Sequence, residues 1–305
     1  MTDALNEHLQ SELAVGGLRG GFLARDLTSG LQIGFNENAV FASASLAKIP
    51  LAVAILDRID AGVLDRAATV TIAPTPTGYT GPPGLSSFRH PATLAVEDLV
   101  YLSVALSDNT ATDALFDLVP PADVTAHMRE IGILGIQVRH RTRDLQQTPA
   151  EQLTGHIDLA HGLAVHSGTP GGGHAIPQLD TSHANTGTAA GFTDLLQALW
   201  TPSLIPLRSS QHVRALMAGN VHRHRLTPDF VSDSSTWSSK TGTLLNLRHE
   251  IGVIEHADGQ TIAITALTQS RITAAQQPAA DILIARTARA LHDHLRQNGP
   301  VAASD

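Results

Sequence analysis

The stretch "HEIGVIEHADGQTIAITAL" (residues 249–267) decides how the chain is read. It holds two apolar, β-branched runs of strand length, and Asp258–Gly259 between them is a hairpin turn signal. Upstream, "TWSSKTGT" (236–243) already has β character. Downstream, "PAADILIARTARALHDHLRQNG" (278–299) changes period and sets Ile284, Ala288, Leu291 and Leu295 on one helical face. The other end of the chain matches this pattern. In "GGFLARDLTSGLQIGF" (20–35), Leu31, Ile33 and Phe35 alternate with Gln32 and Gly34, which predicts a second hairpin turning at Asp26–Gly30. The residues before it read as only a polar turn or two.

Between these ends the spacing is helical. "SLAKIPLAVAILDRI" (45–59) predicts a strongly apolar helix, with Pro50 in its first turns where a missing N–H does least harm. "TLAVEDLVYLSVAL" (93–106) predicts a buried helix that stops at "SDN" (107–109). "TATDALFDL" (110–118), "PADVTAHMREIG" (121–132), "TAAGFTDLLQALW" (188–200) and "SQHVRALMAG" (210–219) read as further helices. Residues 140–190, rich in Gly, Pro and His, read as a long loop with room for one helix. Strands at both ends and helices between them imply one antiparallel sheet built from the termini, with a helical insertion. A site is expected where the two parts meet.

Composition narrows the function. The chain has 305 residues, 42% apolar and 16% charged, which suits a globular protein with a sizeable core. The formal net charge is −8 and the basic residues are scattered, so no nucleic-acid partner is expected. There is no cysteine, hence no disulfide and no thiolate metal site. No apolar run is long enough to span a bilayer, and "MTDALNEHLQSELAVGG" has neither a basic nor an apolar signal region. If Met1 is native, a cytoplasmic protein is expected; if a signal segment has been removed, a periplasmic or secreted one. Among the 16 histidines, His156, His161 and His166 are spaced by five, which rotates each about 140° from the last and off a shared face. His222 and His224 could converge on a strand, but a third ligand is missing. No metal and no cofactor are expected.

The chain has two lysines, Lys48 and Lys240. Ser45 and Lys48 are three apart on the predicted helix, which puts both on one face. A serine hydroxyl needs a base to become a nucleophile. A lysine can be that base only if burial or a second cation lowers its pKa from about 10.4, and Lys240 is the available cation. Arginine could not serve, because it stays protonated. In "SDN", Ser107 offers a hydroxyl that can pass a proton to a leaving group, and Asn109 an amide that can hold a substrate carbonyl. In "KTGT", Lys240 supplies charge and Thr241 a hydroxyl. Gly242 is expected to let substrate approach the backbone of a strand to which it could add.

Taken in order, Ser45-x-x-Lys48, Ser107-Asp108-Asn109 and Lys240-Thr241-Gly242 resemble the three motifs of the class A β-lactamases and penicillin-binding proteins. The flanks "FASASLAK", "VEDLVYLSVALSDNTATDAL", "NTGTAAGFTDLLQAL" and "KTGTLLNLRHEIGVI" resemble that family too, over nearly the whole chain except about 140–185. The resemblance implies a three-layer α/β (α+β) fold in one domain over residues 1–305. Residues 1–42 and 225–305 would form an α/β subdomain. Residues 43–224 would form an all-helical subdomain with an enlarged Ω-like loop at about 140–185.

It also implies that Ser45 attacks an acyl carbonyl to form an acyl-enzyme. The N–H groups of Ser45 and Thr243 would form the oxyanion hole, and Arg248 would pair with a substrate carboxylate or else be a solvated strand arginine. The implied partner is a small acyl compound bearing a carboxylate; oligomeric state is not legible. The family's deacylating Glu-x-x-Leu-Asn pattern is absent. Glu151 and Asp144 are the acidic candidates for that role, each equally readable as a solvated loop carboxylate. Three functions stay open: β-lactam hydrolysis, an esterase, amidase or acyltransferase acting on another small acyl compound, and a penicillin-binding module without turnover.

Overall fold

The computed structural model describes residues 2–74, 81–145, 153 and 156–298. The chain opens with a helix, α1 (Thr2–Val15), where the sequence suggested only a polar turn or two. Its Leu9 and Leu13 lie one turn apart and are buried in the core beside the sheet; that packing holds a helix with little apolar surface otherwise. β1 (Leu18–Asp26) and β2 (Gln32–Phe35) form the expected hairpin, turning at Gly30 with φ +76°. A two-residue strand, β3 (Phe41–Ala42), leads to a 3-10 turn at Ala44–Ala47 and then to α2 (Lys48–Asp60). The predicted helix over 45–59 is thus two elements, so Ser45 sits on the tighter turn and Lys48 begins the α-helix.

β4 (Thr69–Ile72) pairs with β5 (Ala92–Ala95), and β5 runs directly into α3 (Val96–Ala105). α4 (Asn109–Leu118) and α5 (Pro121–Glu130) follow. β6 (Ile136–Gln137) precedes the long loop, which carries α6 (Ile157–His166), and β7 (Thr186–Gly187) follows it. α7 (Ala189–Trp200), α8 (Leu207–Ala218) and the single turn α9 (Thr227–Phe230) lead to β8 (Ser235–Leu244), β9 (Leu247–His256) and β10 (Thr261–Ser270). Helix α10 (Pro278–Asn298) closes the chain.

The termini assemble the sheet as their patterns require. β1 runs antiparallel to β10, with Phe22 opposite Ala266, giving the order β2–β1–β10–β9–β8. Both faces of the sheet are covered, which is why β9 and β10 are buried along nearly their whole length instead of alternating between buried and exposed. Ile254, Ile262, Ile264 and Ala266 pack with Leu291 and Leu295 of α10 on one face. Ile251, Val253, Ala263 and Leu267 pack on the other with α2 and α7, including Ile55 and Phe192. From Ile49 to Leu56 helix α2 is apolar all round because this part lies inside the second core, with Ile49, Leu51, Val53 and Ile55 all buried.

The expectation that residues 43–224 are all-helical needs correction. That span contains the β4–β5 pair, and β6 and β7 pair there as part of a small sheet ordered β3–β7–β6. These strands of two to four residues satisfy backbone groups where loops begin and end, and are too short to show a period in sequence. The Ω-like loop is pinned at its neck. Asn185 Oδ1 accepts from the N–H groups of Arg139 (2.7 Å) and His140 (3.1 Å), while Arg139 donates to the Ala184 carbonyl at 2.6 Å.

Candidate active site

The site forms where the 3-10 turn, the start of α4 and strand β8 converge. Ser45 follows Ala44, whose φ of +47° is unusual for a residue with a Cβ; this local strain turns the Ser45 segment out of β3 and into the helix. Gly242 explains how β8 comes so close. A Cβ there would lie 3.0 Å from both Leu46 Cγ and the Ser43 carbonyl oxygen. Gly242 therefore lets the strand pack on the nucleophile turn and does not itself face the cavity, which corrects the expected approach of substrate at that residue. Its neighbours Thr241 and Thr243 point the other way and line the cavity.

Beneath the cavity both lysines meet one hydroxyl. Lys48 Nζ donates to the Ser107 carbonyl at 2.5 Å and Asn109 Oδ1 at 2.7 Å, and lies 3.1 Å from Ser107 Oγ. Lys240 Nζ lies 3.1 Å from the same Oγ and donates to the Thr241 carbonyl at 3.0 Å. Burial pushes the Lys48 amine well below its ordinary value, and the charge of Lys240 pushes it further, against the opposing pull of Asp108 and Asp113. Burial lowers Lys240 to about 7, opposed by Glu250. A neutral Lys48 fits its surroundings: two N–H groups for Ser107 O and Asn109 Oδ1, and a lone pair for the Ser107 hydroxyl.

Ser45 departs from expectation in one respect. It lines the cavity with Lys48, Ser107 and Asn109, but its hydroxyl has no hydrogen bond among the described residues, and the Lys48 amine is turned to Ser107 and Asn109 instead. The predicted Ser45–Lys48 contact is therefore not made in this conformation. Ser107 itself adopts φ +60°, which directs both its carbonyl and its hydroxyl at the lysines. Asp108, in the middle of the motif, has a structural task. Its carboxylate caps α4 through Ala111 N at 2.9 Å and holds Leu85 N at 2.6 Å, fixing the loop above the cavity.

Arg248 fits neither sequence reading. It is buried on β9, and its guanidinium donates to the carbonyls of Leu245 (2.6 Å), Leu247 (3.0 Å), Ala274 (3.3 Å) and Ala275 (2.9 Å). Four backbone acceptors use up the groups that a substrate carboxylate would need. Burial, and then nearby Arg225, lower its pKa. A second buried arginine beside the cavity is Arg225, which the sequence did not single out. It donates to Asp281 Oδ1 and the His249 carbonyl, both at 2.6 Å, and reaches the cavity-lining Thr243 Oγ1 at 3.3 Å.

Of the two deacylation candidates, Glu151 lies outside the described residues. Asp144 is exposed, accepts from Arg141 N at 2.8 Å, and does not line the cavity. The cavity, of about 530 Å³, carries no carboxylate among its described lining residues. It does carry four histidines: His140, His161, His222 and His224. His222 and His224 lie on the segment before α9 and not on the strand considered from sequence, and two histidines from the long loop join them at the cavity. His161 is buried while His156 and His166 are exposed, as the five-residue spacing requires. Among the described residues no group of three or more His, Cys, Asp or Glu is arranged to hold a metal ion, and no helix is long and apolar enough to cross a membrane.

The profile of the "Beta-lactamase enzyme family" matches residues 3–295. The "Beta-lactamase regulatory protein BlaB" of Streptomyces cacaoi is 50% identical over 308 residues, covering 97% of this chain and 99% of that protein. A β-lactamase from Sphaerobacter thermophilus superposes with TM-score 0.76 at 20% identity, over 97% of this chain and 99% of that one. A mutant of PBP-A in acyl-enzyme complex with penicillin-G superposes with TM-score 0.75 at 18% identity, over 97% of each chain. These two structural likenesses establish the β-lactamase/transpeptidase-like fold.

Proposed function

Since the chain belongs to the β-lactamase enzyme family, we propose that Ser45 takes the acyl group of a β-lactam or related cyclic amide and passes it to water. The observation that carries this reading is the meeting of Lys48 and Lys240 on one buried serine hydroxyl. Two amines sealed from water cannot both hold a proton cheaply, so one is available as a base. Ser45 Oγ would attack the carbonyl as its proton moves to Lys48, with Ser45 or Lys48 turning into contact once substrate is seated; catalytic hydrogen bonds often tighten at that stage. Ser107, bonded to both amines, would carry the proton on to the departing nitrogen. The N–H groups of Ser45 and Thr243 would receive the oxyanion.

The ligand is anionic on this reading. In a chain of net charge −8 the described cavity lining carries no carboxylate, and Arg225, a guanidinium that keeps its proton, lies behind the cavity-lining Thr243. Incubation of wild type and Ser45→Ala with penicillin G, a chromogenic cephalosporin and simple esters, followed by intact mass and absorbance, tests the reading. A β-lactam adduct on wild type and none on Ser45→Ala is expected; esters accepted in place of β-lactams would move the assignment to another acyl substrate. A second reading, a covalent adduct without turnover, is favoured by the lack of a described carboxylate in the lining and by the regulatory name of the Streptomyces cacaoi relative. An adduct that outlasts hours of dialysis would select it.

A further inference from the structure

Helix α6 is seated on the two segments that make the site. Its Leu163 and Ala164 pack with Ala42 and Ala44 before the nucleophile, and with Leu244, Leu245 and Leu247 at the β8–β9 turn. Asn246 fixes it by donating to the Ala164 carbonyl at 3.0 Å. One turn earlier on this helix is His161, 4% exposed and lining the same cavity as Ser45. Its Nδ1 is sealed with no partner, and neither ring nitrogen has a hydrogen bond among the described residues.

The other three histidines of the cavity are engaged. His140 uses both nitrogens, bonding the Arg141 carbonyl at 2.8 Å and accepting from Asn185 N at 3.1 Å. His222 Nε2 bonds the Leu106 carbonyl at 3.3 Å, and His224 Nε2 lies 3.4 Å from the Arg225 guanidinium. A buried polar group left without a partner is costly, and such a group calls for an explanation in function.

We propose that His161 is the base that activates the water releasing the acyl group from Ser45. This rests on the acylation reading above. In the step, the water oxygen attacks the acyl carbonyl carbon while Nε2 of His161, the ring nitrogen that is not sealed, takes one of its protons. The tetrahedral intermediate then breaks its bond to Ser45 Oγ, and the proton held on His161 is returned to that oxygen. The products are the free carboxylic acid and the original Ser45 hydroxyl, so no further reactant is needed.

The surroundings keep the imidazole neutral and able to accept. Burial lowers its pKa from 6.5, Arg248 of β9 lowers it further, and Asp158 on its own helix opposes them. The other titratable groups of the cavity are Lys48, His140, His222 and His224, with Lys240 in the floor beneath it.

Single-turnover measurements separate the two halves of the reaction. With penicillin G, adduct mass is followed during formation and again after free compound is removed. Wild type is expected to release the acyl group with a rate that falls on the acid side below pH 6.5. His161→Gln is expected to acquire the adduct on the wild-type timescale yet lose it about a hundredfold more slowly, without the acid limb. In His161→Ala, added imidazole is expected to speed release. A wild-type adduct that never decays, or a His161→Gln adduct that decays at the wild-type rate, would overturn the proposal while leaving acylation standing. Parallel loss of formation and release would mark His161 as structural and overturn it too. Wild type that forms no adduct at all would instead remove the acylation reading, and this one with it.

Discussion

Four basic side chains are buried around strands β8 and β9, Lys48 from the start of α2 with Lys240 of β8, and Arg225 before β8 with Arg248 of β9, and the two pairs are treated in opposite ways. Lys48 and Lys240 share a single serine hydroxyl, and burial depresses both amines. Arg225 and Arg248, close by, are spent on protein acceptors: one on Asp281, the His249 carbonyl and Thr243 Oγ1, the other on four carbonyls. The difference follows from the side chains. An amine can escape burial by giving up its proton, so it can be left poised; a guanidinium cannot, so the fold must satisfy it completely. Lysine here is chemistry and arginine is architecture. That accounts for a chain with two lysines that places both of them at this site.

The strongest challenge to this division is Lys48→Arg. A permanent cation cannot take the Ser45 proton, so the acylation rate with a chromogenic cephalosporin is expected to fall by about 10²–10⁴-fold while circular dichroism stays native. A Lys48→Arg variant that acylates at more than about a tenth of the wild-type rate would end the claim that this amine is the base.

Arg225→Met should act on the other side of the comparison. It strips Asp281 and the His249 carbonyl of a buried donor and is expected to cost roughly 2–3 kcal/mol of folding stability in urea titration. If stability holds and only acylation suffers, Arg225 belongs with the lysines.

Lys240→Met should show the reverse pattern, with slower acylation and a Tm higher by about 2–4 °C at pH 7, because a poorly solvated amine is removed. An unchanged or lower Tm would mean that the lysine's hydrogen bonds outweigh its burial.

The last contrast is in the pH dependence of stability. An unfolded lysine holds its proton to about pH 10.4, whereas folded Lys240 loses it near 7, so the unfolded state binds more protons across that window. Stability should therefore rise as pH increases from 7 toward 10, and the slope should be shallower in Lys240→Met. The buried histidines add a separate limb. His249, pushed to about 3, and His292, pushed to about 4, both chiefly by burial, stay neutral while the unfolded chain takes up protons below 6.5. Stability should fall with acid from pH 6.5 in wild type and in Lys240→Met alike. A fall in only one of them would show the two limbs to be coupled.

The same contrast marks what could be read beforehand. The two hairpins and the last helix with Ile284, Ala288, Leu291 and Leu295 inward follow from period and residue type, whereas the meeting of the three motifs was implied by the family resemblance. Helix α1 was missed because two buried leucines in fourteen polar-rich residues make a weak stripe. The role of Gly242 was misjudged because a glycine in a strand signals a close approach without saying which partner approaches. His161 was visible as one of a row of three, and its spacing correctly kept it off a shared face with His156 and His166; nothing local said which of the three would turn inward.

What the sequence determined alone is the inventory of the candidate site: the serine hydroxyls of Ser45 and Ser107, the two lysine amines, and the sheet of joined termini beside them. These depend on residue type and short spacing. Tertiary structure alone decided where each polar atom is spent. Arg248 became a clamp on carbonyls, Lys48 turned to Ser107 and Asn109, and His161 kept both nitrogens unengaged in the cavity. Such outcomes depend on partners distant in the chain and on the geometry of burial, which sets both the hydrogen bonds a group can make and the cost of its charge.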